Sequence, residues 1–372
     1  MNPTRLLDSL CIDRKSLDSK KEQTSYKIDF IAAYIEKWLF VTTNSPQFDK
    51  LVFIDCMCNA GVYADDDFGT PIRVLRLFQE AAIQCPNKEF HLVLNDFDIK
   101  RIAICESIIS EVRKEEVVTL SNLTTCLSCL DVNEFVNNTE LFDELIQKRT
   151  AAVLFVDPYD AVTVKTPVLK SFVTRYYCEV IYNFFSSDFI RNQDSERIIK
   201  YLTECFDVGE FSTIEEAEKL VLAKIKTGHI SHSFAYAFRN VKNAELYRII
   251  YLTPHIRGLE KLKEALWDVF KGEPFHRNKT NTAQASLFEE ADDKAMLLEF
   301  YAHTATELLL QHFSGKMVTY SEIESFLMEN TMMMGTQIIN NILKPLVASG
   351  KLVKHNLAGN KQDYKKDSYT FA

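Results

Sequence analysis

The stretch LVFIDCMCNAGVYADDDFGTP, Leu51 to Pro71, decides how the rest of the chain is interpreted. An apolar run ends in Asp55, a loop of small residues leads to Gly61, and an amphipathic run begins at Pro71. A strand that ends in an acidic residue and opens into such a loop is how many nucleotide pockets begin. The glycine pattern G-x-G-x-x-G is missing, and two cysteines stand where glycines are expected. The stretch therefore predicts a nucleotide-type pocket with an unusual loop.

Outward from this stretch, short apolar runs alternate with helical patterns. A helix is predicted over residues 26–40, and buried strands are predicted to end near Asp55, Asp96, Asp131, Asp157 and Asn183. Continuous apolar strands that alternate with helices indicate a parallel sheet covered on both faces. The runs SFAYAFRN and ELYRIIYLTPH predict an antiparallel pair that finishes the sheet. The expected fold is α/β, with a Rossmann-like sheet and helices on both of its faces.

The polar residues at the predicted strand ends are the candidate cofactor site. Ligands of such sheets bind beyond the carboxyl ends of the strands, although a single aspartate there is often only a helix cap. Asp96 or Asp98 could hold a ribose diol, and Asp131 could bond an adenine amino group. Asp96 lies further from the loop than the roughly 20 residues of a dinucleotide fingerprint. The spacing and the missing glycines favour S-adenosylmethionine (SAM) over a nicotinamide cofactor.

The motif FVDPYD is the sharpest candidate for catalysis. Asp157 could accept an N–H from a planar amino group, Pro158 could fix the backbone, and Tyr159 could stack on a base. The motif is similar to the D-P-P-Y signature of amino-group methyltransferases, but its second proline is absent. Asp-Pro is also a common strand terminator. Pyrimidine C5 methylation is disfavoured because this strand end has no cysteine nucleophile.

The C-terminal part of the chain has a different character. The predicted division is a first domain over residues 1–270, a polar linker over 271–294, and a second domain over 295–372. Three helical patterns and a hairpin around Gly359 and Asn360 predict a winged helix. Its mildly basic surface could contact DNA or RNA, although many wings contact protein instead. The candidate nucleic-acid-binding residues are Lys344, Lys351, Lys354, Lys365 and Lys366.

Composition sets limits on location and partners. The net charge of -9 argues against a protein that coats nucleic acid by bulk electrostatics. Neither a membrane-spanning run nor a signal peptide is visible, and nine scattered cysteines fit a reducing compartment, so the cytoplasm is expected. Cys126 and Cys129 form a C-x-x-C without a second ligand pair nearby, so no metal site is predicted.

Taken in order, FIDCMCNAGVY, FGTP, LNDFD, VDPYD, YLTPHIRGLEKLKEALW and the C-terminal pattern resemble the three-Cys-motif partner proteins (TcmP). The resemblance runs from about Tyr26 to the C-terminus. It implies a class I SAM-dependent methyltransferase-like domain with an appended winged helix. It also implies a bacterial or phage-like setting and a three-Cys-motif, radical-SAM-like partner. The positions that match the motifs of the family are Ile54, Asp55, Asn59 or Ala60, Gly61, Tyr63, Gly69, Thr70, Pro71, Asp157, Pro158 and Tyr159.

Two departures from the family pattern bear on activity. Cys58 and Asn59 replace smaller residues in the loop, where Asp55 and Gly61 would approach the amino-acid end of SAM. Asp160 replaces a glycine and is expected to add charge and bulk where a substrate would enter. The leading hypothesis is a SAM-dependent methyltransferase that acts on an amino group of nucleic acid. The alternatives are a catalytically silent binding module with the same fold and, last, a nicotinamide oxidoreductase.

Overall fold

The computed structural model describes residues 2–114, 119–192, 194–206, 208, 210, 213–278, 290–355 and 364–371. The strands are β1 (Lys50–Asp55), β2 (Val62–Tyr63), β3 (Asp67–Phe68), β4 (Glu89–Asn95), β5 (Leu123–Ser128), β6 (Thr150–Val156), β7 (Glu179–Phe184), β8 (His232–Arg239), β9 (Glu245–Thr253), β10 (Phe275–Arg277), β11 (Met317–Thr319), β12 (Leu352–His355) and β13 (Ser368–Phe371).

The helices fall before, between and after these strands. They are α1 (Pro3–Ser9), α2 (Glu22–Thr43), α3 (Thr70–Gln84), α4 (Ile99–Lys114), α5 (Val132–Val136), α6 (Thr139–Leu145), α7 (Thr166–Arg175), α8 (Ser186–Arg191), α9 (Glu196–Phe206), α10 (Ile214–Ile225), α11 (Ile256–Phe270), α12 (Glu290–Phe313), α13 (Tyr320–Asn330), α14 (Gly335–Ile338) and α15 (Lys344–Ala348). A 3₁₀ turn covers Arg14–Ser16, and a π-helical turn covers Ile339–Leu343.

The main sheet has eight strands in the order β10-β8-β9-β7-β6-β1-β4-β5. Strands β5, β4, β1, β6 and β7 are parallel, and β9 runs antiparallel to both of its neighbours, β7 and β8. The parallel part follows the 3-2-1-4-5 order of doubly wound sheets. With the antiparallel β9 inserted beside β7, the sheet resembles that of a class I methyltransferase. The predicted α/β fold is confirmed.

Burial follows the position of each strand. Every residue of β6, a central strand, is buried, as expected for a parallel strand covered on both faces. Strand β8, nearer the edge, alternates between buried and half-buried positions. One hydrophobic cluster packs on the face that carries α2, α3 and α11, and a second packs on the face that carries α7, α9 and α10. The sheet is therefore enclosed on both sides.

The edge of the sheet differs from the prediction. The antiparallel pair β8 and β9 forms as expected, but it does not finish the sheet, because β10 adds in parallel to β8. Phe275–Arg277 lies inside the range predicted as a linker, where the polar composition gives no strand signal. Residues 279–289 of that range lie outside the described residues. The division into domains stays a prediction.

The C-terminal segment contains helical stretches α12, α13 and α14 to α15, and a small antiparallel sheet of order β11-β13-β12. Thr319 caps α13 in a reciprocal box with Glu322. The π-helical turn ends at Leu343, two residues before Pro345, whose missing N–H cannot serve a regular helix. The predicted turn around Gly359 and Asn360 lies outside the described residues. The winged-helix assignment stays a prediction.

This segment packs directly on α11. Lys263 Nζ donates to the carbonyl oxygen atoms of Thr331 and Met333, the latter at 3.0 Å, and Trp267 Nε1 donates to that of Met332 at 3.2 Å. Side chains of α12, α13 and β13 belong to the same hydrophobic cluster as the α2 face of the main sheet. The two parts of the chain therefore share one core.

Membrane insertion by a helix would require a long apolar helix. No helix in the part of the chain that the structure describes is both long enough and apolar enough to span a membrane.

Candidate functional site

A cleft of about 630 Å³ opens beyond the carboxyl ends of β1, β6 and β7. Strand β1 lies between β4 and β6, so the chain reverses its direction of progress across the sheet at this point, where ligands of such sheets bind. Backbone register aligns Asp55 with Phe155, and Phe155 with Ile181. Because alternate residues of a strand face the same side, Asp157 and Asn183 extend this row. Asp55, Asp157 and Asn183, which the sequence analysis placed at strand ends, therefore lie along one wall of the cleft.

Asp55 is the most deeply buried acid of this wall. It is 1% exposed, and its Oδ1 accepts a hydrogen bond from the Met57 backbone N–H at 3.2 Å. Burial raises the pKa of Asp55 well above its usual range, and the negative charges of Asp157 and Asp96 raise it further. A cation in the cleft would favour the ionised form of Asp55, since it would replace the missing solvation.

Asp157 is held from two sides. Asn183 Nδ2 donates to Asp157 Oδ1 at 2.7 Å, and Lys27 Nζ, which projects from α2, forms an ion pair with Asp157 Oδ2. The Lys27 ammonium group also lies 5.6 Å from the centre of the Tyr247 ring. Both carboxylate oxygen atoms of Asp157 already accept one N–H. Any amino group of a substrate would therefore share this carboxylate with Lys27 and Asn183.

Two polar atoms beside this group have no hydrogen-bond partner among the described residues. They are Asn183 Oδ1 and the Tyr247 hydroxyl oxygen, and both residues line the cleft and are nearly fully buried. Buried polar groups are normally paired. This end of the cleft therefore has hydrogen-bonding capacity that the protein itself does not use.

The loop after β1 is shaped by two residues in the left-handed region, Asn59 with a φ of 58° and Gly61 with a φ of 73°. The Gly69 backbone N–H donates to the Gly61 carbonyl oxygen at 2.8 Å. A Cβ on Gly61 would lie 3.3 Å from both Cys105 Sγ and Ile72 Cγ1, so a side chain here would be strained and crowded. Asn59, Gly61 and Tyr63 line the cleft, together with the buried Pro158.

Asp96 organises the loops around it and is fully buried. Its Oδ1 accepts from the Asp98 backbone N–H at 3.0 Å, and its Oδ2 accepts from the Asn59 backbone N–H at 3.0 Å. The Tyr159 hydroxyl group donates to the same Oδ2 at 3.1 Å. Asp96 does not line the cleft, and the Tyr159 hydroxyl group occupies the position at Asp96 Oδ2 that the sequence assigned to a ribose hydroxyl.

Tyr159 itself is partly exposed and lines the cleft. Arg101 Nη1 donates to its hydroxyl oxygen, and the exposed Phe97 meets its ring edge to face at a centroid distance of 6.2 Å. Burial raises the pKa of Tyr159 well above its usual range, and the Asp96 carboxylate raises it further. Tyr159 thus stays a neutral donor, and its ring is close to a second aromatic ring.

Asp160 does not lie where the resemblance to the family pattern led us to expect it. Its Oδ1 accepts from Thr163 Oγ1 at 2.7 Å and from the Val162 backbone N–H at 3.0 Å, and its Oδ2 pairs with Arg197 Nη2 at 2.6 Å. Asp160 is absent from the cleft lining. The structure does not bear out the expectation that Asp160 adds charge and bulk to the cleft, because its carboxylate caps its own loop and pairs with Arg197.

Two predicted cofactor ligands also cap helices instead of lining the cleft. Asp98 Oδ1 accepts from the Lys100 backbone N–H at 2.8 Å at the start of α4. Asp131 Oδ1 accepts from the Asn133 backbone N–H at 2.8 Å at the start of α5. Neither residue lines the cleft. These positions follow the usual preference for aspartate at helix N-termini.

The lysines predicted to bind nucleic acid are distributed over the C-terminal segment. Lys354 Nζ pairs with Asp367 at 2.7 Å and lies 4.2 Å from the centre of the Tyr364 ring. Lys344 Nζ donates to Asn340 Oδ1 at 2.8 Å. The remaining three are exposed: Lys351, Lys365 and Lys366.

Sequence reasoning missed the residues that reach the cleft from α2 and from the N-terminal segment. Lys27 had a detectable signal, because it shares the buried face of α2 with Phe30, Ile31 and Tyr34 at helical spacing. A lysine on an apolar helix face requires a partner. Asp18, Ser19 and Lys21 also line the cleft, and nothing in the local sequence distinguishes them.

All nine cysteines have free thiols, including Cys126 and Cys129. Among the described residues, no group of three or more His, Cys, Asp or Glu side chains is arranged to hold a metal ion.

Comparison with known proteins gives little to add to this geometry. No family model matches the chain, and no curated protein matches it by sequence. A solved structure that is similar in part is a candidate class I S-adenosylmethionine-dependent methyltransferase from Listeria monocytogenes. The TM-score is 0.32 and the identity is 11%, over 67% of this chain and 65% of that chain, which is just under two thirds of its length. A likeness at this level carries no argument about chemistry.

Proposed function

We propose that this protein binds SAM in the cleft and transfers its methyl group to an amino group, most favourably one of nucleic acid. The observation that carries the proposal is the row of Asp55, Asp157 and Asn183 along a cleft at the switch point of a doubly wound sheet. The volume of about 630 Å³ lies within the usual range for small-molecule and cofactor sites.

The cofactor would lie between the loop after β1 and the wall formed by Asp55. SAM carries a sulfonium and an ammonium group, and the buried Asp55 would gain from a cation beside it. The glycine at position 61, with its φ of 73°, supports a close approach of the backbone to the ligand. Asn59 and Tyr63 complete this part of the site.

The acceptor would lie at the end of the cleft that contains Asp157, Asn183 and Tyr247. The lone pairs left on Asp157 and the unpartnered Asn183 Oδ1 can accept the N–H groups of an amino group. The partly exposed rings of Tyr159 and Phe97 support a planar acceptor, since bases stack on aromatic side chains. Pro158 would fix the backbone between these groups.

A second function is favoured by the hydrogen bonds that Asp96 already accepts from the protein. The Tyr159 hydroxyl group and the Asn59 backbone N–H both donate to Asp96 Oδ2, so the carboxylate is hydrogen-bonded without a ribose. In that case the protein is a catalytically silent module. Its C-terminal segment would bind DNA, RNA or a three-Cys-motif, radical-SAM-like partner.

Calorimetric titration with S-adenosylhomocysteine (SAH), the demethylated product, tests the cofactor site. We expect saturable heat at high micromolar ligand or below for the unaltered protein. Asp55→Asn should weaken binding by about tenfold, which is the effect of losing one charge-assisted contact. Asp131→Asn is the matched control, because Asp131 also follows a strand but caps α5 outside the cleft. The absence of heat from the unaltered protein would rule out the cofactor assignment.

Transfer of a labelled methyl group to nucleic acid separates the enzyme from the silent module. We expect label on the nucleic acid, with Tyr159→Ala losing transfer while the nucleic acid is still retained. If retention of the nucleic acid depends on Lys351, Lys365 and Lys366 and does not change with SAM, the protein is the catalytically silent binding module.

A further inference from the structure

The N-terminal segment, residues 13–21, lies against the loops that form the cofactor cleft. It follows α1, which is anchored in the core by the fully buried Leu6 and Leu7, and it leads into α2. Three of its residues line the cleft: Asp18, Ser19 and Lys21. The segment is therefore one wall of the candidate cofactor site.

Asp18 makes the central contacts of this segment. Its Oδ2 accepts from Asn59 Nδ2 at 2.8 Å and from Arg101 Nη2 at 3.1 Å, and its carbonyl oxygen accepts from the Ala64 backbone N–H at 2.9 Å. Arg101 in turn donates to the Tyr159 hydroxyl group, which bonds Asp96. One carboxylate thus links the loop after β1 to the FVDPYD loop.

The acidic run Asp65 to Asp67, which the predicted cofactor site left unexplained, holds the same segment. The Lys20 backbone N–H donates to Asp65 Oδ2 at 2.7 Å, and Lys20 Nζ pairs with Asp67. Arg14 Nε donates to Asp66 Oδ1 at 2.9 Å. Most of these side chains are partly exposed, so each ion pair contributes little alone and the set can open reversibly.

We propose that residues 13–21 form a strap that closes over the cofactor cleft, and that Asp18 is the positioning residue that closes it. The proposal rests on the proposed SAM site and names how access to that site is controlled. When Asp18 holds Asn59 and Arg101, the loop after β1 and Tyr159 are both fixed. Release of Asp18 frees Asn59 and Arg101, and the segment can then open to let the cofactor enter or leave.

Limited proteolysis with trypsin tests the strap directly, since Arg14, Lys15, Lys20 and Lys21 are cleavage sites within it. In the full chain without ligand, Asp18→Ala should speed cleavage in this segment about tenfold, because cleavage follows the population of the open form. Asp13→Ala is the matched control, because the Asp13 side chain bonds only within the segment. Circular dichroism should show both variants to be folded.

SAH should slow cleavage of the unaltered strap and dissociate faster from Asp18→Ala than from Asp13→Ala. Lys20→Gln, which removes the pair with Asp67, should shift both readouts in the same direction. If SAH binds but leaves cleavage and dissociation unchanged in all variants, the strap is overturned while the cofactor site stands. If SAH does not bind, the cofactor site fails, and equal cleavage of Asp18→Ala and Asp13→Ala without ligand overturns the strap as well.

Discussion

Glu179, at the start of β7, is a buried acid whose protonation depends on the fold. Tyr34 donates to Glu179 Oε2, and Thr253 Oγ1 donates to Oε1 at 3.1 Å. These contacts lie at the amino end of β7, opposite to the end that borders the cleft. Tyr251 completes the enclosure, with its hydroxyl oxygen 2.8 Å from that of Tyr34. Burial raises the pKa of Glu179 to about 6 despite these hydrogen bonds.

This raised pKa predicts how stability changes with pH. The folded state binds the proton more tightly than the unfolded state, so the contribution of Glu179 is largest below about pH 4.3 and is lost as pH rises through 6. The loss should be about 2 kcal/mol, because one pKa unit corresponds to about 1.4 kcal/mol. Glu179→Gln should not show this loss. Urea unfolding at several pH values between 4 and 8 measures this difference.

The exposed Glu106→Gln on α4 serves as the control for that experiment. It should follow the unaltered protein at every pH. Equal pH profiles for Glu179→Gln and Glu106→Gln would contradict the assignment of the raised pKa to Glu179.

For single residues, the sequence could predict which polar side chains follow the strands but not which groups they form hydrogen bonds with. Asp55 and Asp157 reached the cleft as predicted, whereas Asp98 and Asp131 cap helices. The difference depends on whether the side chain turns toward the next helix or toward the neighbouring strand. Register between distant strands decides that, and it is not local information.

Helix α11 approaches the sheet through Gly258. A Cβ on Gly258 would lie 2.5 Å from Glu179 Oε1, Thr253 Oγ1 and the Tyr251 hydroxyl oxygen. The glycine therefore allows the helix to pack against this polar group, even though glycine is unfavourable inside a helix.

Gly258→Ala should destabilise the protein by about 1–3 kcal/mol, because overpacking outweighs the gain in helix propensity. Urea unfolding measures the change in the free energy of unfolding. Arg257→Ala, at an exposed position of the same helix, should stay within about 0.5 kcal/mol of the unaltered protein. A stabilised Gly258→Ala would show that the helix can move away at no cost.

Strands with continuous apolar runs were predicted well, and the short strand β10 was not predicted. The strands β1, β4, β6 and β7 carry continuous apolar runs, and each formed where the runs are. The three-residue β10 forms because β8 offers it an open edge, and a polar stretch gives no sign of that. Its formation depends on tertiary context, which overrides local propensity.

The whole molecule should unfold as one unit. Lys263 is fully buried, and its bonds to the carbonyl oxygen atoms of Thr331 and Met333 join the C-terminal segment to α11. Lys263→Met would leave these carbonyl groups unpaired, at a cost of about 1–3 kcal/mol. Scanning calorimetry should show one transition for the unaltered protein and an earlier, broader or divided transition for the variant.

Lys261→Met is the control, because Lys261 pairs with Glu264 on the surface of the same helix. It should leave the single transition in place. Two separate transitions in the unaltered protein would contradict the shared core.

The common core has a practical consequence for anyone who wishes to study the sheet and the C-terminal segment apart. Leu262 and Leu266 on α11 belong to the same apolar cluster as Leu309 and Leu327. A gene shortened before α12 would give a product whose α11 exposes an apolar face. Such a product would tend to form inclusion bodies and to be bound by chaperones. Roles of the two parts are better separated by point substitutions in the full-length gene than by trimming it.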